Sequence, residues 1–348
     1  MIKYFSIVLS LLFLNNCFAQ EIITKVDSII KMNSNLNPKI GISVGFIINN
    51  EEHFFNYGNL NKTDSVKINE NSIFEIGSIT KLFTAHLIAQ QIETGKIDLD
   101  NVIDDYLPSF FKLNKEIQNK IKVSDLASHQ SGLPDFDFKQ LMKVNPKQPL
   151  NEVTKQMVDS ILTNTSELKP YGSYQYSNIS YVLLGYILEN IVKDNYENII
   201  KNNILTTCNM DKTKMSVYTG NNITVGHNAQ GESQDLFNWN SVIAPAGLLK
   251  SNSTDMLKFI QLLLLSNNQV IKTNLERTYF KNTFIELGLG LNIVREDGNV
   301  VFAKTGDTLG QSCVLAYNPE KKWGIIILTN QANRTAREIF NQIFELLK

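Results

Sequence analysis

The 348-residue chain is 43% hydrophobic and 19% charged, with 33 basic against 34 acidic side chains and a formal net charge of -1. This composition excludes a disordered polyelectrolyte and supplies neither a basic stripe for nucleic acid nor an acidic tail. A folded chain with ample core is expected, as one large domain or two intimately packed ones, acting on a small substrate. Residues 1–19 read as an export signal: Lys3 gives the positive start, Phe5 to Phe13 the apolar stretch, and Cys17-Phe18-Ala19 a small-x-small cleavage site. The apolar run is shorter than the roughly 20 residues of a spanning helix, so no stable membrane span is expected and the mature chain starts at Gln20. That leaves Cys208 and Cys313, too few for a disulfide framework.

After the signal, Ile22 to Met32 has helical spacing, Gly41 to Ile48 reads as a buried strand, and Asn49 to Glu52 turns it back into a second strand, His53 to Tyr57. Helical patterns then dominate: Ser78 to Thr94, Val123 to Ser128, Leu150 to Thr163, Ser180 to Asn190 and Thr254 to Leu265. Strand patterns return at Gly288 to Val294, Asn299 to Ala303, Gln311 to Tyr317 and Trp323 to Thr329, joined by short turns that include Asp297-Gly298 and Asn318-Pro319. Connections this short imply an antiparallel meander, closed by an amphipathic helix through Ile339, Phe340, Ile343, Phe344 and Leu347. The expected fold is α/β of the α+β type: an antiparallel five- to six-stranded sheet flanked by helices, built from residues 20–96 and 243–348, with an all-helical insert over 97–242. A ligand cleft is expected where the two parts meet.

Three short runs carry the chemistry. Ser-x-x-Lys occurs four times, at Ser28/Lys31, Ser78/Lys81, Ser109/Lys112 and Ser166/Lys169, so the spacing alone decides nothing. Only Ser78 follows a compact apolar approach, Ile73-Phe74-Glu75-Ile76-Gly77, and opens a long helix, where unpaired N–H groups and the positive dipole end are found and where Lys81 lies one turn on along the same face. Taken alone, an N-cap serine followed by a surface lysine explains such a match as well. Tyr176-Ser177-Asn178 has the decoys Tyr57-Gly58-Asn59 and Tyr196-Glu197-Asn198. It alone separates a polar, Gly-containing segment from a strongly apolar helix, a junction from which a tyrosine points into a cleft, although a turn tyrosine with a helix-capping asparagine fits it too. Lys304-Thr305-Gly306 is unique in the chain and ends a strand, so alternation presents polar heads along an edge while Gly306 admits close approach. The bland reading there is a strand end running into a turn.

Together the runs describe a serine nucleophile served by lysine and tyrosine. Neither amine nor phenol is a useful base at its ordinary value near 10, so burial and neighbouring cations must lower one of them toward neutrality, at about 4 kcal/mol. No His-Glu-x-x-His helix or phosphate-cradling Gly-rich loop is present, and four scattered histidines give no metal spacing, so neither cofactor nor metal is expected.

These residues resemble the class C β-lactamase and D-alanyl-D-alanine carboxypeptidase superfamily of penicillin-recognising serine hydrolases. The likeness runs from about Ile42 to Asn333. It includes Val123 to Pro134, similar to the family's Thr-Ser-Gly-Leu-Pro segment, Tyr176 to Glu189, and Ala244 to Met256. The resemblance implies a β-lactamase/transpeptidase-like fold and a monomer in the periplasm. It assigns Ser78 as nucleophile, Lys81 as its activating partner and Tyr176 as base. Asn178 would hold the substrate's side-chain amide, Lys304, Thr305 and Gly306 its carboxylate end, and the N–H groups of Ser78 and Asp307 the oxyanion. His129 would be structural. Two departures stand out: Phe136 replaces the family's usual glutamine, and Asp307 replaces a small residue, placing a carboxylate where an anionic substrate would be repelled. β-Lactams, D-amino-acid peptides and small esters are the implied substrates, and a penicillin-binding sensor that stays acylated is the non-enzymatic alternative.

Overall fold

The computed structural model describes residues 20–36, 38–63, 65–265, 267–276, 279–280, 285–296 and 298–348. The expected export signal lies outside them. Among the described residues no helix is long and apolar enough to cross a membrane.

Eight strands form one antiparallel sheet: β1 (Ile42–Ile48), β2 (Glu51–Tyr57), β3 (Tyr279–Phe280), β4 (Ile285–Leu287), β5 (Asn292–Glu296), β6 (Asn299–Asp307), β7 (Ser312–Asn318) and β8 (Trp323–Thr329). Their order is β2-β1-β8-β7-β6-β5-β4-β3, so the two ends of the chain meet where β1 pairs with β8, Ile42 opposite Thr329 and Ile48 opposite Trp323. The sheet is wider than the five to six strands expected because two short segments before β5, too brief to show alternation, add an edge. Strand β8 shows why the central strands read as unbroken apolar runs. Ile325 and Ile327 face one core, Ile326 and Leu328 the other, and all four are buried.

Against the Ile325 face pack helix α1 (residues 20–36) and the C-terminal helix α5 (Thr335–Leu347), through Val26, Ile30, Ile339 and Ile343. The opposite face carries the larger core. There α4 (Ser253–Leu263) lies on β1 and β8, and α2 (Thr80–Glu93) is buried around its whole circumference from Thr80 to Ala89. A helix enclosed on all sides is a rigid platform, and this one carries the proposed catalytic lysine. Helix α3 (Asn178–Val192) packs against α2, and its Ile179, Val182, Leu183 and Leu184 belong to the same core as Ile326.

The insert departs from the all-helical expectation. Gly226–His227 pairs with Ser233–Gln234, and Ile73 bridges Ile223. His227 N donates to Asn330 O at 3.0 Å and to Gly310 O at 2.8 Å, so the chain rejoins the sheet body well before residue 242. The reason is local: Thr224 and His227 serve backbone carbonyls at the end of the sheet, a role that leaves no periodicity in sequence.

Candidate active site

Two close backbone approaches build the floor of the site. After the two-residue strand Phe74–Glu75, Gly77 takes a φ of +47° and leads into a 3-10 turn, Gly77–Ile79, that holds Ser78 just ahead of α2. A Cβ on Gly77 would lie 2.9 Å from Asp307 N, and one on Gly306 would lie 2.0 Å from Ile76 O. Only glycines fit here, and their absence of side chain lets the turn bearing Ser78 lie directly on the end of β6. The buried Cys313 thiol sits at the same junction, 3.2 Å from Ile76 O and 3.3 Å from Gly306 O, and donates to these carbonyls.

The three sequence runs converge here. The Ser78 hydroxyl hydrogen-bonds Tyr176 Oη and lies 3.4 Å from Lys81 Nζ. Lys81 Nζ also donates to Ala246 O at 2.5 Å and to Asn178 Oδ1 at 2.9 Å. Burial pulls this amine down to about 7, against the opposing pull of the Asp135 carboxylate. A neutral amine has two donors and one lone pair. With the two shorter bonds keeping their donors, the lone pair is left for the longest contact, Ser78 Oγ. Lys81 Nζ and Lys304 Nζ stand 5.0 Å and 5.5 Å from the Tyr176 ring centroid, placing two amino groups beside that phenol.

Asp135 is the residue that the sequence reading missed. Its carboxylate accepts from Asn178 N at 2.8 Å, Ile179 N at 3.0 Å and Asn178 Nδ2 at 3.2 Å, so it satisfies the first amides of α3 and fixes the Asn178 carboxamide. One Asn178 N–H then remains for a substrate carbonyl. Asp135 lies 43 residues ahead of Asn178 rather than directly before α3, so no capping signature announces it. His129, expected to be structural, accepts from Ser177 N at its Nδ1 at 3.2 Å, and its ring lies 4.6 Å from that of Tyr176. Gly41 to Gly45 carries a Gly-x-Ser-x-Gly spacing that is not a nucleophile elbow. Its Ser43 is buried in β1 and bonded to Asn56 Oδ1 and Ser253 Oγ, a sheet contact far in character from a strand-to-helix elbow.

Above the floor opens a cleft of about 460 Å³ lined by Ser78, Tyr176, Asn178, Lys304, Thr305 and Asp307. Phe138, Leu150, Phe237, Ile243 and Leu309 give it an apolar wall. Asp307 does not present the bare carboxylate expected from the sequence. Arg337, reaching over from α5, grips it in a bidentate pair in which Nη1 donates to Oδ1 at 3.0 Å and Nη2 donates to Oδ2. Phe136 packs against the core rather than offering a polar group.

The Beta-lactamase family model matches residues 36–348, nearly the whole of the described chain. The chain belongs to the beta-lactamase family. A beta-lactamase of Psychrobacter immobilis is 27% identical over 331 residues, covering 84% of this chain and 79% of its own. Protein flp of Staphylococcus aureus strain COL is also 27% identical, over 88% of this chain; the match spans 62% of that longer protein. Among solved structures, a class C beta-lactamase superposes with a TM-score of 0.80 at 24% identity, covering 94% of this chain and 97% of its own. A Beta-Lactamase/D-Alanine Carboxypeptidase from Pseudomonas syringae gives 0.79 at 20%, covering 93% and 99%. These two share the fold with a beta-lactamase-family chain whose serine, lysine and tyrosine meet at one cleft.

Proposed function

We propose that this beta-lactamase-family serine hydrolase opens a β-lactam ring through an acyl-enzyme on Ser78. The observation that carries the reading is the contact of one hydroxyl, Ser78 Oγ, with both Tyr176 Oη and the buried Lys81 amine. Ser78 gives its proton to this pair as Oγ bonds to the lactam carbonyl carbon, and the resulting oxyanion turns toward the N–H groups of Ser78 and Asp307. Tyr176 returns a proton to the departing ring nitrogen. Water, deprotonated at Tyr176, then attacks the ester carbonyl and frees Ser78. Lys304 and Thr305 receive the substrate carboxylate, Gly306 lets it approach the strand, and the spare Asn178 N–H takes the side-chain amide. The n-region, apolar stretch and small-x-small site read in the sequence of residues 1–19 support export and action in the periplasm.

A second reading keeps these roles and changes the substrate to D-amino-acid peptides or small esters. The apolar wall around Phe138 and Phe237 favours it, since bulky acyl groups fit there without a charged partner. Purified protein mixed separately with a chromogenic cephalosporin, a nitrophenyl ester and a peptide ending in two D-alanines separates the readings. Steady cephalosporin turnover that falls by about 10³-fold or more in Ser78→Ala is the expected result. Turnover of ester or peptide alone would replace the first reading with the second, and stoichiometric labelling without turnover would make the protein a sensor.

A further inference from the structure

Thr305 and Asp307 are two residues apart on β6, so their side chains emerge on the same face, roughly 7 Å apart along the strand. Lys304 and Asp307 are the charged residues among the described lining of the cleft. An anion held at Thr305 therefore meets Asp307 as its next neighbour on that face. Asp307 is half exposed, yet its two oxygens are both taken by Arg337, whose Nη1 also lies 3.4 Å from Ser312 Oγ, the residue opposite Asp307 in the β6–β7 ladder. Arg337 is thus held against Asp307, which lines the cleft, by groups on two strands, with its charge already engaged by an internal carboxylate.

We propose that Asp307 is a specificity-determining residue that occupies Arg337 in place of a substrate carboxylate, confining anion recognition to Lys304 and Thr305. The inference rests on the hydrolase reading given above. The pair acts in two ways. Arg337 cancels the repulsion that Asp307 would exert on an anionic substrate, and Asp307 withholds from that substrate a planar two-pronged donor suited to it. The two side chains should then have opposite effects. Removing the carboxylate releases the guanidinium to the substrate, whereas removing the guanidinium bares the carboxylate.

The test is the ratio of kcat/KM for an anionic cephalosporin to that for neutral nitrophenyl acetate. Asp307→Asn is expected to raise it about 10-fold and Arg337→Gln to lower it about 10-fold, with the double variant within about 3-fold of the starting ratio. Arg337→Lys, which keeps the charge without the fork, should shift it less than Arg337→Gln and guards against a loss of fold in the latter. The same variants in a Ser78→Ala background are titrated by NMR with N-acetyl-D-alanine and its primary amide, and the ratio of their Kd values should move in the same directions. Both single variants shifting the ratios the same way, or neither moving them beyond about 2-fold, would overturn the proposal. Failure of the hydrolase reading shows separately, as absence of Ser78-dependent turnover in the unmodified protein, and the Kd ratios then judge the pair alone.

Discussion

Lys81 is where a single side chain sets the pH behaviour of the whole site. Its amine titrates near 7 because burial penalises the ammonium, with Asp135 pulling the other way. The working form is the neutral amine, so kcat/KM should rise through pH 7 and level off above it, the sign expected when deprotonation switches a base on. Lys81→Arg holds the charge at every accessible pH and is expected to cost at least 100-fold with no recovery in alkali. Asp135→Asn removes the opposing carboxylate, so the limb should move toward lower pH by up to about one unit, a shift that stopped-flow acylation across pH 5 to 9 would measure. A limb that stays in place in Asp135→Asn would mean that the carboxylate serves the α3 amides only. The same burial has a folding consequence: between the folded value near 7 and the unfolded value near 10.5 the unfolded chain binds more protons, so this group's contribution to stability improves as pH rises through that window.

Elements matter here through how closely their backbones meet. The turn before α2 and the end of β6 touch at two glycines, and the consequences of filling them differ from those of an ordinary left-handed glycine. Gly95, just past the end of α2, has a φ of +69° and open space around it, so Gly95→Ala should cost about 1–2 kcal/mol of backbone strain and leave turnover intact. Gly306→Ala drives a methyl to 2.0 Å from Ile76 O, and Cys313 Sγ blocks the other side at 2.8 Å. The turn must then lift off the strand, separating Ser78 from Asp307. Denaturant melts should show a loss of about 1–3 kcal/mol or more, and kcat should fall with it. Retention of full activity in Gly306→Ala would show that the two backbones need not touch. This contact was half legible in the sequence. Gly306 signalled a close approach, but that it meets Ile76, while Gly77 meets Asp307, is a tertiary fact with no local pattern.

At the scale of the molecule, what could be read from the chain was whatever repeats along it. Continuous apolar runs in β1, β7 and β8 and the 3.6-residue spacing in α5 gave the sheet and its cover, because these strands are buried on both faces and the helix on one. Asp135, Arg337 and the strand pair at Gly226–His227 left no such trace, since each acts through one contact with a distant segment. The site is consequently assembled by the fold as a whole: α2 supplies Lys81, the start of α3 supplies Asn178, β6 supplies Lys304, and α5 supplies Arg337. Helix α5 is the piece that can be loosened with α2 left in place, because it packs on the opposite face of the sheet from α2. Ile343, fully buried there, should lose about 2–5 kcal/mol of stability on change to Ala through cavity formation. Working below the lowered melting temperature, hydrolysis of a neutral ester should stay within about 2-fold of the unmodified protein, while the preference for anionic over neutral substrates drifts as Arg337 loses its fixed seat. An equal loss on both substrates would show instead that the outer helix supports Ser78 and Lys81 through the sheet, and that the two faces act as one unit.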